Sequence, residues 1–223
     1  MNILEAIRER HSVRRYKNIP LKAEDINELE SLIAACNEES GLHIQLVTNE
    51  PKAFAKSLLA YGRFSGVSNY LLMAGPEKKE EEIGYFGEKL VIAARMKGID
   101  SCWVGLTYKK IPGTFTLAAG EKVYCVIALG YGESHGVQHP LKAVDSLYKS
   151  EGDVPGWFMN GMSDVQLAPS AVNQQKYRFI LHGDNVVECI AGKSYAGYTK
   201  IDLGIAKYHF EAGAGKDIEY SFK

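Results

Sequence analysis

No apolar run in the 223 residues reaches the ~18 that a membrane span requires. The opening Met1-Asn2-Ile3-Leu4-Glu5 also lacks the basic and apolar regions of a signal peptide. Charge of one sign is missing too: 26 Lys and Arg face 27 Asp and Glu, and a net charge of −1 excludes a global pull toward nucleic acid or an anionic membrane. The four cysteines, Cys36, Cys102, Cys125 and Cys189, show no CxxC spacing, and each lies in an apolar context. They read as buried free thiols of a chain that stays in a reducing cytoplasm. Six histidines form no HExxH or other ligand pair, which argues against a metal site. Phosphate-binding glycine motifs fail as well. Gly130-Tyr131-Gly132-Glu133-Ser134-His135-Gly136 places its last glycine one position too late for GxGxxG, and Gly213-Ala214-Gly215-Lys216-Asp217 lacks the first glycine and the Ser/Thr of a phosphate loop. The two read as a loop and a turn.

What is present is enough apolar sequence, 46%, for a real core in one domain or two small halves. Asn2 with Glu5 three residues on opens a helix whose apolar face is Ile3, Leu4 and Ile7. Residues 24–37 are an amphipathic helix with Ile26, Leu29, Ile33 and Cys36 on one face and Gly41 as its stop. Residues 44–48 and 70–74 read as buried strands, joined by an Ala/Lys-rich helical stretch over 51–61. The acidic run from Glu77 to Glu82 reads as the solvated start of a second helix, from about Gly84 to Lys97, that Gly98 ends. Residues 98–107 read as an apolar turn with a small residue at its centre, and 122–130 as a buried strand. A helix over 155–167 follows, then strands at 177–181 and 186–190 joined by a hairpin turn, then a helix over 202–212. In that last helix Leu203-Gly204-Ile205-Ala206 echoes Leu90-Val91-Ile92-Ala93. The order helix, strand, strand, central helix thus occurs in 24–97 and again in 155–212. It predicts a single α+β unit of two degenerate half-repeats, about 1–140 and 141–223, with central helices and antiparallel or mixed sheets.

Two stretches carry chemistry. Residues 1–22 hold six Lys/Arg against two Glu, a local excess of +4. Within them Arg10, Ser12 and Arg14 alternate, so an extended chain places them on one face, with Val13 and Arg15 on the other. Two guanidiniums flanking a hydroxyl suit a phosphate or the electron-rich edge of a flavin ring; the other reading is a solvated basic turn. The second stretch is Leu167-Ala168-Pro169-Ser170-Ala171-Val172-Asn173-Gln174-Gln175, a run of hydroxyls and neutral amides without charge. Such groups bind a planar heteroaromatic ligand without adding net charge. Equally, they suit a helix end stopped by Pro169, with Ser170 and Asn173 bonding their own backbone.

The segment Ile7-Arg8-Glu9-Arg10-His11-Ser12-Val13-Arg14-Arg15-Tyr16 with Pro20 resembles the opening of the FMN-dependent nitroreductase family. So do Ala168-Pro169-Ser170-Ala171-Val172-Asn173-Gln174-Gln175 with Arg178-Phe179, and 98–105 with Ala128-Leu129-Gly130-Tyr131. One departure stands out: the Pro-Ser-x-x-Asn-x-Gln segment follows the first long helix in the family, whereas here it follows the corresponding helix of the second half. The resemblance implies a fused, degenerate pair, a monomer with one FMN, in which half one keeps the basic segment and half two the amide segment. It implies that Arg10, His11, Ser12 and Arg14 hold the ribityl phosphate and pyrimidine edge, while Pro169, Ser170, Ala171 and Asn173 lie against the ring and ribityl chain. Gly105 and Leu106 match the turn that approaches the hydride-accepting nitrogen, although Gly105 also suits a plain turn, and Lys142 matches a late basic residue on the phosphate. The implied activity is oxidoreduction: hydride from NAD(P)H passed to a nitroaromatic, quinone or similar small acceptor in a ping-pong cycle. No catalytic side chain, metal, nucleic acid or membrane partner is implied. The alternatives are a flavin carrier or sensor with little turnover and a structural protein without cofactor. The loops around 61–68 and 108–115 carry no residue that decides the acceptor.

Overall fold

The computed structural model describes residues 1–55, 63–193 and 197–223, which form two units. One takes Glu9–Lys79 and Lys89–Gln138; the other takes Met1–Arg8, Glu80–Glu88 and His139–Lys223. Among the described residues the architecture is α+β, with five α-helices and two four-stranded sheets.

In the first unit, α2 (Ala23–Ser40) buries Leu29, Ile33 and Cys36 and stops where Gly41 turns left-handed at φ 69, its N–H donating to the Asn37 carbonyl. Strands β1 (Gln45–Val47), β2 (Asn69–Pro76), β3 (Asp100–Val104) and β4 (Glu121–Gly130) make an antiparallel sheet in the order β1-β2-β4-β3. β2 and the second half of β4 are buried on both faces, as their unbroken apolar sequences require. Helix α3 (Glu80–Met96) begins four residues before Gly84 and supplies its second half to this unit. Pro51–Phe54 form a single 3₁₀ turn, and the rest of the helix expected over 51–61 lies largely outside the described residues.

The reading of 98–107 as a turn is corrected. Asp100–Val104 are the edge strand β3, paired with Val126 to Gly130 of β4. Gly98, at φ 77, ends the helix and Gly105 follows the strand, so five strand residues sit between two glycines. Their bonding partners are more than twenty residues away, and no local period marks them.

In the second unit, reciprocal bonds of 2.9 Å between Asn2 and Glu5 cap α1 (Ile3–Glu9), as their spacing predicts. β5 (Tyr148–Ser150), β6 (Tyr177–Leu181), β7 (Val186–Ala191) and β8 (Ser221–Phe222) form a mixed sheet in that order. β6 and β7 are the expected antiparallel hairpin, while β5 and β8 add parallel at the two edges. Helices α4 (Gly156–Val165) and α5 (Thr199–Ala214) pack together over a core in which Phe210 stacks on Phe179 at 5.3 Å and meets Phe158 at 5.4 Å. The first half of α3 crosses α5 at backbone contact. A Cβ on Gly84 would lie 2.0 Å from the Ile201 carbonyl oxygen, and one on Gly204 would lie 1.9 Å from that of Glu81. Only glycine permits that approach.

Among the described residues, no helix is long and apolar enough to cross a membrane. The chain order includes α2-β1-β2-α3 and, later, α4-β6-β7-α5.

Candidate functional site

Residues 12–16 form an extended segment that starts beside the edge strand β3. Ser12 bridges Ser101 in parallel, and the Val13 N–H donates to the Ser101 carbonyl at 2.9 Å. The segment is then laced to two further loops. Arg14 and Tyr16 exchange backbone bonds with Ser65 at 3.0 and 2.9 Å, and Tyr16 bridges Gly132. Val13 and Tyr16 are buried anchors, so the basic residues stand on a fixed backbone rather than on a free turn. Arg10 is 3% exposed, His11, Ser12 and Arg14 are half-buried, and Arg15 is exposed.

Arg14, Ser12 and Arg10 all lie near enough to the buried Cys102 thiol of β3 to act on it. Burial pushes that thiol up, against the pull of Arg14, a hydrogen bond from Ser12 and the charge of Arg10. Burial likewise pushes the Tyr16 hydroxyl well up, and among the described residues that oxygen has no hydrogen-bond partner. Beside the segment, Asp100 accepts from Arg95 at 2.9 Å and from the Gly132 N–H at 3.0 Å, and Arg95 also reaches Glu9 at 2.8 Å. Arg95 is therefore neutralised by two carboxylates. Among the described residues no carboxylate pairs with Arg14. A half-buried guanidinium beside a second one and a hydroxyl, with no internal counter-ion of its own, fits a phosphate or an anionic ring edge. The far end of β3 opens into Gly105 and Leu106, the latter 72% exposed.

The second unit gathers Lys142, Pro169, Ser170, Ala171 and Asn173. After α4 the chain makes a short 3₁₀ turn, Ala171–Asn173, and three non-glycine residues take left-handed backbone: Val172 at φ 48, Asn173 at φ 55 and Gln175 at φ 43. A β-branched residue in that region is a true outlier. Internal bonds hold the turn. Ser170 Oγ accepts from the Gln175 N–H at 2.9 Å, and Asn173 donates to the Pro140 carbonyl at 2.9 Å and accepts from the Gln175 amide at 2.8 Å. Lys142 donates through Nζ to the Gln174 and Gln175 carbonyls at 2.9 and 2.8 Å. Two of its three ammonium protons are thus engaged on the loop.

The sequence reading missed Asp202 of α5. Its Oδ1 accepts from the Ala171 N–H at 2.9 Å and its Oδ2 from the Gln174 amide at 2.7 Å. Burial pushes this carboxyl up to about 6, even though both bonds favour the charged form. Cys102 was read only as a buried thiol, not as a neighbour of the basic segment. Among the described residues, no group of three or more His, Cys, Asp or Glu could hold a metal ion.

A family model described as "Putative TM nitroreductase" matches residues 2–214. A search of curated proteins finds no match. Among solved structures, the chain is similar to a putative nitroreductase from Thermotoga maritima MSB8, with 24% identity, a TM-score of 0.65, and coverage of 94% of this chain and 82% of that one. It is similar to a putative NADH dehydrogenase/NAD(P)H nitroreductase from Parabacteroides distasonis ATCC 8503 at 20% identity and a TM-score of 0.51, over 66% of this chain and 97% of that one. A putative nitroreductase in complex with FMN from Desulfovibrio desulfuricans matches at 18% identity and a TM-score of 0.51, over 66% of this chain and 95% of that one.

Proposed function

The chain belongs to the TM-type nitroreductase family, and from that premise we propose that it is an FMN-dependent oxidoreductase. It takes hydride from NAD(P)H and passes it to a nitroaromatic, quinone or similar small acceptor in a ping-pong cycle. The observation that carries this reading is the Arg10, Ser12, Arg14 segment, fixed beside β3 and left with an uncompensated guanidinium at Arg14.

Bound FMN would supply the hydride-accepting centre and the two-electron chemistry. The share of the protein is binding and electrostatics. Arg14 and Arg10 would hold anionic oxygens and offset negative charge that grows on reduction, while Ser12 would add a hydroxyl contact. Gly105 and Leu106, at the open end of β3, would border the reacting edge. Pro169, Ser170, Ala171 and Asn173 would offer uncharged groups suited to a flavin ring and ribityl chain, and Lys142 braces that loop through its carbonyls. No side chain is assigned as acid or base, because solvent supplies protons. We read the working form as a monomer with one FMN, in a cytoplasm that keeps its four cysteines free.

The test compares wild type with Arg14→Ala after reconstitution with FMN and gel filtration. Arg14 is the clean substitution, since Arg10 is buried and its loss would also disturb the fold. The wild type retains flavin, and the variant binds it more weakly by about 1.5–3 kcal/mol, one charge-assisted contact. A colourless wild-type protein overturns the reading; a variant with unchanged occupancy removes Arg14 from the site.

A further inference from the structure

We infer that Asp202 is the positioning residue of the amide loop, fixing residues 169–175 in the shape that binds FMN; this rests on the functional reading above. The loop needs an anchor, because Val172, Asn173 and Gln175 occupy left-handed backbone that side-chain-bearing residues rarely adopt. Most of its anchors come from another loop. Asn173 and Gln175 bond the Pro140 carbonyl, and Gln175 also accepts from the Lys142 N–H. Asp202 alone among these partners stands on a regular element, α5, where it is 2% exposed. Sites held from rigid elements keep their geometry better than sites held from loops.

The chemistry of the contact is directional. A carboxylate only accepts, so the Ala171 N–H and the Gln174 NH₂ must both point at Asp202. The side-chain oxygen of Gln174 therefore points away from Asp202. Among the described residues, the other ionisable groups tied to this contact are Tyr177 of β6, whose hydroxyl feels the Asp202 charge, and Lys142, which holds the far carbonyls of the loop. Neither offers Asp202 a neutralising ion pair. A buried, unpaired carboxylate is an unfavourable choice for packing alone, and its two bonds both go to one loop.

FMN titration at pH 8 followed by flavin fluorescence, on wild type, Asp202→Ala, Asp202→Asn and Gln174→Ala, tests the assignment. Asp202→Ala should weaken FMN binding about tenfold or more, because both bonds that fix the loop are lost. Asp202→Asn should restore binding close to wild type, since its oxygen can accept from Ala171 and its NH₂ can meet a flipped Gln174 amide. Without FMN, the Ala171 amide should exchange with solvent faster in Asp202→Ala than in Asp202→Asn. Wild type that binds FMN beside an Asp202→Ala variant that binds equally well overturns the inference alone. Wild type that binds no FMN overturns the functional reading and the inference with it. If Asp202→Ala does not fold, Gln174→Ala, which removes half of the contact from a half-buried loop side chain, carries the comparison: weaker binding supports the assignment and unchanged binding overturns it.

Discussion

Burial pushes the Asp202 carboxyl up to about 6 from an ordinary 3.8, and this has a stability consequence. The folded state holds the proton more tightly than the unfolded chain, so the favourable contribution of this group is complete below 3.8 and is lost as pH rises through about 6. At neutral and alkaline pH the protein therefore carries a buried charge at a cost on the order of 2–3 kcal/mol. Asp202→Asn, measured without FMN, should raise the melting temperature at pH 8 and leave it nearly unchanged at pH 4. A variant less stable than wild type at pH 8 would contradict this. At this scale the sequence was half legible. The alternation of Arg10, Ser12 and Arg14 could be noticed because an extended segment has a period of two, and bridges at Ser12, Arg15 and Tyr16 mark such a segment. Asp202 could not, since it sits between Ile201 and Leu203 in a helical run and its partners lie 28 and 31 residues away. The amides at 173–175 stood out as uncharged polar groups, yet composition could not tell that they mostly bond one another and the 140–142 stretch.

Among the elements, the crossing of α3 and α5 gives the sharpest expectation. Helix propensity alone says that Gly→Ala inside a helix stabilises by about 1 kcal/mol. The geometry says the reverse, because a methyl on Gly84 or Gly204 would meet backbone carbonyl oxygen at 2.0 or 1.9 Å. Gly84→Ala and Gly204→Ala should each lower stability by roughly 1–3 kcal/mol in denaturant unfolding. The double variant should cost less than the sum, since one displacement of the helices relieves both clashes. A stabilised single variant would refute the close crossing. Gly84 read from sequence as a helix start because glycine usually punctuates; its role here depends on another helix, which no local window contains. The strongly periodic helices and the continuous apolar strands were legible for the opposite reason: their partners impose a pattern on many consecutive residues. β3 is too short, and too closely framed by glycines, for such a pattern to register.

For the whole molecule, the proposal is one FMN per chain, with both the basic segment and the amide loop needed to retain it. Arg14→Ala and Asn173→Ala should each bind flavin poorly, and a mixture of the two should bind no better than its parents. Recovery on mixing would mean that two chains share a site, and would sink the single-chain stoichiometry. The most direct measurement is an anaerobic absorbance titration of the FMN-loaded protein with NADH and, separately, with NADPH. The account predicts that at least one nucleotide bleaches the flavin bands at one equivalent per chain, and that adding a quinone or nitroaromatic restores them. Flavin that stays bound and oxidised in the presence of both nucleotides would contradict it.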